Sequence, residues 1–403
     1  MWGNVVVLVV ALVSAAACHR QWPGAGPDAV PPPQPVLTEP YRIGAYYFPG
    51  WPDYDRWKVL DEFPERVPLL GYYREGDPGV MDWHIKWALE HGISFFVFDW
   101  YWERGQRQLE HALHEGYLQA RFRHLLQFCL LWANHNMPGS SSEEDLLAVL
   151  DYWIEQYFWR PEYLTIDGRP LVIIFSSRRL SQDLGSDGVK RAFSKMRERA
   201  RARGLPGLYL VAVTGPSDLS FREHLQRQKD EGYDATTGYN YPRAGMDHSA
   251  FVAAYDSMVY GYWAIWTLVA EMGIIDHFPV TDPGWDSRPW HGWKALVRTD
   301  RTPGKFKRML ANARTFVDRH PITGNRRIVL VEAWNEFGEG EAIEPHCEWG
   351  FGYLEAVRDV FAVPGHWPNP LTPQDLDRTV PQVVCPPGAC PEPRDPCRRH
   401  RVR

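Results

Sequence analysis

Through the middle of the chain, short apolar runs alternate with longer stretches that are apolar on one face only. Eight runs, most of them rich in Val, Ile, Leu, Phe and Tyr, are too short to be helices: 42–48, 93–99, 125–132, 171–175, 208–213, 234–238, 277–280 and 328–333. Runs of this length and composition read as strands buried on both faces. Between them, helical periodicity is found over 80–91, 143–157, 190–203, 220–231, 248–272 and 305–319. Strands alternating with helices pair in parallel through right-handed crossovers. Eight such units over about 320 residues fit a (β/α)8 TIM barrel with insertions, an α/β fold. A doubly wound open sheet is the alternative, but no glycine-rich loop follows the first run, where a dinucleotide would need one. No solenoid repeat is visible.

The two ends differ from this body. An apolar run at 5–13 is followed by Ser14, Ala15, Ala16, Ala17 and Cys18. It is shorter than the roughly 20 residues a membrane span needs but suits the core of a signal peptide. Cys18 directly after Ala17 resembles a bacterial lipoprotein box, in which the cysteine becomes the lipidated first residue. Residues 1–18 therefore read as a signal or lipoprotein signal. The expected location is the cell envelope, anchored to the membrane through lipidated Cys18, or otherwise periplasmic or secreted. Residues 19–40 hold Pro23, Pro27, Pro31, Pro32, Pro33 and Pro35 and read as an extended linker. The catalytic domain is expected over 41–363. Residues 364–403 form a Pro-rich tail ending in the basic cluster 398–403, which reads as solvated. Cys385, Cys390 and Cys397 lie in that tail, where an exported protein can form a disulfide staple. Their spacing lacks the CxxC of a zinc site, and the pairing stays open.

Composition narrows the function. The chain of 403 residues has a formal net charge of −6 and no basic patch in its body, so no nucleic-acid partner is expected. Aromatic residues make up 14%, with 19 Trp and 19 Tyr. Buried indole N–H groups each want a partner, so many of these rings are expected to line a cleft. Flat rings suit the C–H faces of sugars.

In a barrel, functional side chains come from the C-terminal ends of strands. Polar groups stand beside aromatic ones at six of those ends. The substrate-binding candidates are Tyr46, Tyr47, Asp99, Trp102, Trp132, Asn134, Tyr239, Tyr241, Trp285, Asp286 and Asn335. The densest stretch, 334–345, holds Glu336, Glu339, Glu341 and Glu344. Cleaving a glycosidic bond needs one carboxylic acid to protonate the leaving oxygen and a second carboxylate to assist at the sugar. Glu336 and Glu339 follow a buried strand, among glycines that let the backbone turn both toward one cavity. Burial and mutual repulsion would keep one of them protonated near neutrality. Glu344, before Pro345, reads as structural. The alternative is a solvated acidic loop or a calcium site. No cofactor motif is present, and no metal is expected.

The run Trp334-Asn335-Glu336-Phe337-Gly338-Glu339-Gly340, continuing through Ile343-Glu344-Pro345 to Gly352-Tyr353-Leu354, resembles the signature of glycoside hydrolase family 99 and its WbsX-like relatives. So do Phe128-Cys129 with Trp132-Ala133-Asn134, Asp167-Gly168-Arg169-Pro170-Leu171, and Phe278-Pro279 through Pro283-Gly284-Trp285-Asp286. Together they span about 41–360. The resemblance implies retaining endo-α-mannosidase chemistry on a (β/α)8 barrel. The residue matching Glu336 removes the proton of the substrate's own 2-hydroxyl, whose oxygen attacks the anomeric carbon to give an anhydro-sugar. The residue matching Glu339 protonates the departing oxygen and then activates water. The chain departs from the characterised mannosidases at Phe337-Gly338, where they carry Trp-His, and at Glu341, where they carry Thr. The WbsX-like branch is often labelled as glycosyltransferase.

The leading expectation is thus an exported glycoside hydrolase, acting within an α-linked, mannose-like polysaccharide or oligosaccharide. A glycosyltransferase of surface-polysaccharide assembly and a non-catalytic carbohydrate-binding lipoprotein are the alternatives. The export signal and the missing phosphate loop speak against nucleotide donors. Both glutamates being present speaks against a barrel that only binds.

Overall fold

A computed structural model describes residues 30–215, 221–367, 369–386, 388–392 and 395–397. The signal segment with Cys18 and the basic cluster 398–403 lie outside the described residues.

Nine parallel segments form the central sheet: β1 (Tyr41–Tyr47), β2 (Phe95–Glu103), β3 (Gln127–Trp132), β4 (Arg169–Ile174), β5 (Tyr209–Val213), β6 (Ala235–Thr237), β7 (Asp276–Phe278), β8 (Val280–Thr281) and β9 (Arg327–Val331). Each pairs with its neighbour in sequence order except β7 with β8, and β1 pairs with β9. β7 pairs only with β6, and β8 only with β9. Pro279 lies between them. It has no N–H to give a ladder, while its carbonyl accepts from Leu330 N at 2.9 Å. β7 and β8 are therefore two halves of one stave, which closes an eight-stave barrel. The predicted strand 277–280 covers the join.

Helices α1 (Pro78–Glu90), α2 (Glu143–Trp153), α3 (Ser177–Leu184), α4 (Ser186–Ala202), α5 (Phe221–Glu231), α6 (Tyr255–Met272), α7 (Pro303–Arg319) and α8 (Gly352–Phe361) form the outer layer. Their starts carry local signals. Asp77 caps α1 with Pro78 behind it, and Ser142 caps α2 ahead of Glu143, Glu144 and Asp145. α3 and α8 were not among the predicted helices. The stretch expected to be helical from 248 opens instead with a short strand, Val252–Ala254, paired with Val297–Thr299.

Residues 34–36 at the end of the linker and residues 371–383 of the tail pack on the barrel, while 19–29 and the basic cluster 398–403 lie outside the described residues. Val36 N donates to Leu89 O at 3.1 Å, and Gln34 N to Glu90 Oε1 at 3.0 Å. From the tail, the Leu371 carbonyl accepts from Trp87 Nε1, and Val383 N reaches Tyr72 O, both at 2.8 Å. Covered on both sides, α1 is buried from Val80 to Glu90. Disulfides join Cys347 to Cys397 and Cys385 to Cys390, leaving Cys129 free and buried among the described residues.

Candidate active site

Beyond β9 the chain makes a tight hairpin of two-residue strands, Asn335–Glu336 against Glu341–Ala342. Gly340 takes the turn at φ +76°, a conformation open to glycine. The Asn335 side chain clamps the loop after β1. It accepts from Phe48 N and donates to Phe48 O and Glu75 Oε1, each at 2.9 Å. Trp51 Nε1 donates to the Asn335 carbonyl at 2.9 Å. So held, Glu336 and Glu339 face one cavity of about 220 Å³ at the C-terminal mouth of the barrel, with Asp99, Tyr101, His135, Tyr239 and Trp290 among its other walls.

Trp290 Nε1 donates to Glu336 Oε1 at 3.2 Å. Its indole stacks on Trp51 at 5.4 Å, and the Arg56 guanidinium lies 4.7 Å from its ring centroid. Gly338 makes room for it, since a Cβ there would sit 1.8 Å from Trp290 Nε1. Tyr239 donates to Asp99 Oδ2 at 2.8 Å.

Burial sets the electrostatics. It holds the Glu336 carboxyl well above the ordinary range, reinforced by Glu339; the Trp290 N–H and Arg56 pull the other way. Glu339 is raised to about 7 by burial and by Asp282. Asp99 is raised to about 8 by burial, with Tyr239 opposing and Glu339 adding. Deeper in the mouth, Glu332 is fully buried with neither carboxyl oxygen hydrogen-bonded, and is raised well above the ordinary range by burial and then Asp99. Glu341 accepts from Asn240 at 3.1 Å and is likewise raised by burial and Asp282. Neutral acids next to ionisable ones equip the site to give and take protons near neutrality. Among the described residues, no three His, Cys, Asp or Glu side chains converge as a metal site would require.

Of the predicted site residues, Asp99, Tyr239, Glu336 and Glu339 meet in the cavity. The others do not line it, and the two-residue period of a strand explains several of these placements. Asp99 and Tyr101 face the cavity, so Trp102 faces outward, stacking on Trp100 and donating to Asp145 at 2.9 Å. Leu131, Ala133 and His135 face it, so Trp132 turns outward onto Trp153, only 1% exposed, and Asn134 clamps the Ser176 backbone. Tyr46 packs behind Tyr239 and donates to Gly238 O at 2.9 Å; Tyr47 points outward to His84. Tyr241 donates to Thr214 O, and Trp285 is buried at 9% exposure. Asp286 is held by Arg66 and Arg288, and Asn335 is consumed by the clamp. Many of the tryptophans therefore build core rather than cleft: Trp51, Trp57, Trp87, Trp100, Trp132, Trp153, Trp266 and Trp334 are all fully buried. The same period, applied to β2 and β3, would have found Tyr101, Ala133 and His135. Arg56 and Trp290 come from one-turn helices, Tyr54–Trp57 and Arg288–His291, too short to carry a periodic signal.

With this geometry in view, the known relatives can be placed. The family model for "Glycosyltransferase WbsX" matches residues 62–357, which include the hairpin and most of the barrel. The chain belongs to the WbsX family. Over 396 aligned residues it is 24% identical to the uncharacterized protein WxcX of Xanthomonas campestris pv. campestris, covering 88% of this chain and 52% of that protein. The chain thus spans about half the length of this curated relative. Among solved structures, the barrel resembles the GH99 endo-alpha-mannosidase from Bacteroides thetaiotaomicron. The TM-score is 0.54 at 14% identity, over 79% of this chain and 96% of that one. A glycoside hydrolase-like protein gives a TM-score of 0.58 at 18% identity, over 84% of this chain and all of the other. These likenesses establish the fold; the carboxylates must speak for the chemistry.

Proposed function

We propose that this WbsX-family protein is a glycoside hydrolase cutting within an α-linked, mannose-like polysaccharide, with retention of configuration. The observation that carries the reading is the placement of Glu336 and Glu339 in one buried cavity at the barrel mouth. The Glu336 carboxylate takes the proton of the substrate's 2-hydroxyl. That oxygen bonds to the anomeric carbon as the bond to the leaving oxygen breaks, and Glu339 gives the leaving oxygen its proton. Water then attacks the anomeric carbon and yields a proton to Glu339, while Glu336 returns its own to the 2-oxygen. The division follows the motif resemblance: the Trp290 N–H and Arg56 favour the Glu336 carboxylate against burial and Glu339, which raise it, whereas Glu339, near 7, suits an acid that later serves as base.

Incubating the protein with α-linked mannans and other polysaccharides, followed by product analysis, tests the reading. Shortened chains whose new ends keep the α configuration are expected. The family's description favours a second reading, a transferase that passes the same sugar to a glycan hydroxyl instead of water. Elongated acceptors without net hydrolysis would establish it. Binding without turnover would reduce the protein to a carbohydrate-binding one.

We also propose export and lipid anchoring through Cys18. The two disulfides suit an oxidising compartment. Among the described residues no helix is long and apolar enough to cross a membrane, so the attachment would rest on the lipid. Recovery of the full-length chain from the cytoplasm, with residues 1–17 intact, would contradict it.

A further inference from the structure

The segment that delivers Trp290 to the cavity continues outward into a second concavity of about 630 Å³, whose walls include Phe251, Val252, Arg288, Trp293 and Lys294. Its apolar groups are unusually bare: Trp293 is 74% exposed, Val252 61% and Phe251 56%. Trp293 is nonetheless held in place. The Arg288 guanidinium lies 5.0 Å from its ring centroid and is fixed by two bonds to Asp286, Nε to Oδ1 at 2.8 Å and Nη2 to Oδ2 at 2.6 Å. Three Cα steps, at most about 11 Å, separate Trp293 from Trp290 on the cavity wall. A chain threaded through the cavity would meet this groove next.

Charge decides what kind of chain. The cavity wall carries three carboxyl groups, Asp99, Glu336 and Glu339, against one cation, Arg56, so a reacting sugar with its own carboxylate finds few partners there. Outside, Lys294 is exposed and, among the described residues, has no carboxylate within ion-pair distance; on the cavity wall the Arg56 guanidinium donates to Gly50 O at 3.1 Å. These two cations flank the aromatic path from Trp290 to Trp293. We propose that the groove is an outer subsite for a carboxylate-bearing pyranose, so that the glycan bound is an acidic polysaccharide whose charged residues lie beside the cleaved one. The ring stacks on Trp293, and its carboxylate pairs with Lys294. The assignment of a glycan rests on the hydrolase reading of the cavity; the groove's chemistry does not.

Affinity electrophoresis of the full chain through gels cast with polygalacturonate, alginate or neutral α-mannan tests the proposal without turnover. Either polyuronate should retard the wild type through the groove alone, without a sugar entering the cavity. Trp293→Ala should weaken that retardation roughly tenfold and Lys294→Gln roughly fivefold at low salt, with added salt erasing the Lys294 contribution. Both positions are exposed, so melting temperatures should stay at the wild-type value. Mannan should retard wild type and Trp293→Ala alike. The proposal is overturned if neither polyuronate retards the wild type, or if both variants migrate as it does. It is equally overturned if retardation by mannan is what Trp293 controls. Glu336→Gln keeps the groove and should still bind polyuronate. Binding through Trp293 in a protein that cleaves nothing would discard the hydrolase reading alone, and cleavage without such binding would discard the groove alone.

Discussion

Replacing Trp290 with Phe keeps an aromatic ring beside Trp51 but removes the N–H that donates to Glu336 at 3.2 Å. A hydrogen bond to a charged acceptor is worth about 1.5–3 kcal/mol, and one pKa unit corresponds to about 1.4 kcal/mol. The bond is long and Trp290 is only partly buried, which favours the low end, about one unit. The donor favours the ionised carboxylate, so its loss raises the Glu336 pKa further. The other charged groups around Glu336, namely Glu339, Asp99, Glu332 and Arg56, are untouched. Because Glu336 must be ionised to act, the rising limb of kcat/KM against pH should move upward by about one unit, the falling limb much less. Both limbs report the coupled pair rather than single residues. Gly338→Ala tests the same contact from the other side, since its Cβ would displace the indole, and should move the same limb in the same direction. Profiles from both variants that superimpose on the wild type, or move downward, would refute the role given to Trp290.

Trp132→Ala should cost about 3–5 kcal/mol of folding stability, and Trp102→Ala, at 8% exposure, a large part of that, both read by denaturant unfolding. Unchanged midpoints would return these rings to the cleft. Asp99 has its pKa raised to about 8 in the fold, so the folded state holds a proton that the unfolded chain loses near 4. Its contribution to stability is therefore complete below about pH 4 and declines as pH rises toward 8. Asp99→Asn should remove that decline, so its melting temperature should gain on the wild type from pH 5 to pH 9. Cys347→Ser opens a link between residues 50 apart and should lower stability by about 2–4 kcal/mol. Reducing agent should lower the wild-type melting temperature but affect the variant much less.

The barrel was legible because buried parallel strands are continuous apolar runs, and all eight predicted runs fall on the staves. The break at Pro279 hid inside one run, since pairing partners leave no mark on a four-residue stretch. α8 was missed because it directly follows the motif, where Gly352-Tyr353-Leu354 was read as signature rather than as a helix start. α1 shows how covering changes a pattern: segments far away in the chain, from the linker's end and from the tail, bury its outer face. At the site, the glutamate pair was legible from its glycine-flanked position after β9. The aromatic walls were not, because proximity to a strand end was given more weight than which face of the strand a residue occupies. Glu332 and Glu341 acquire their meaning only from burial, Trp290 from a one-turn helix that folds back onto Glu336.

The central claim is that Glu336 and Glu339 divide the chemistry, and their Gln variants test it most directly. Both variants should fold, since Gln keeps the shape and removes charge from a buried acidic cluster. Rates are compared on a natural glycan the wild type cleaves and on the same sugar with a good leaving group. Glu339→Gln should lose about 10²–10⁴ on the natural glycan, the range of one general acid–base contribution, and be partly spared in its first step when the leaving group needs no proton. Glu336→Gln should fail on both, because the 2-hydroxyl must be deprotonated whatever departs. Near-wild-type hydrolysis of the natural glycan by either variant would contradict the account.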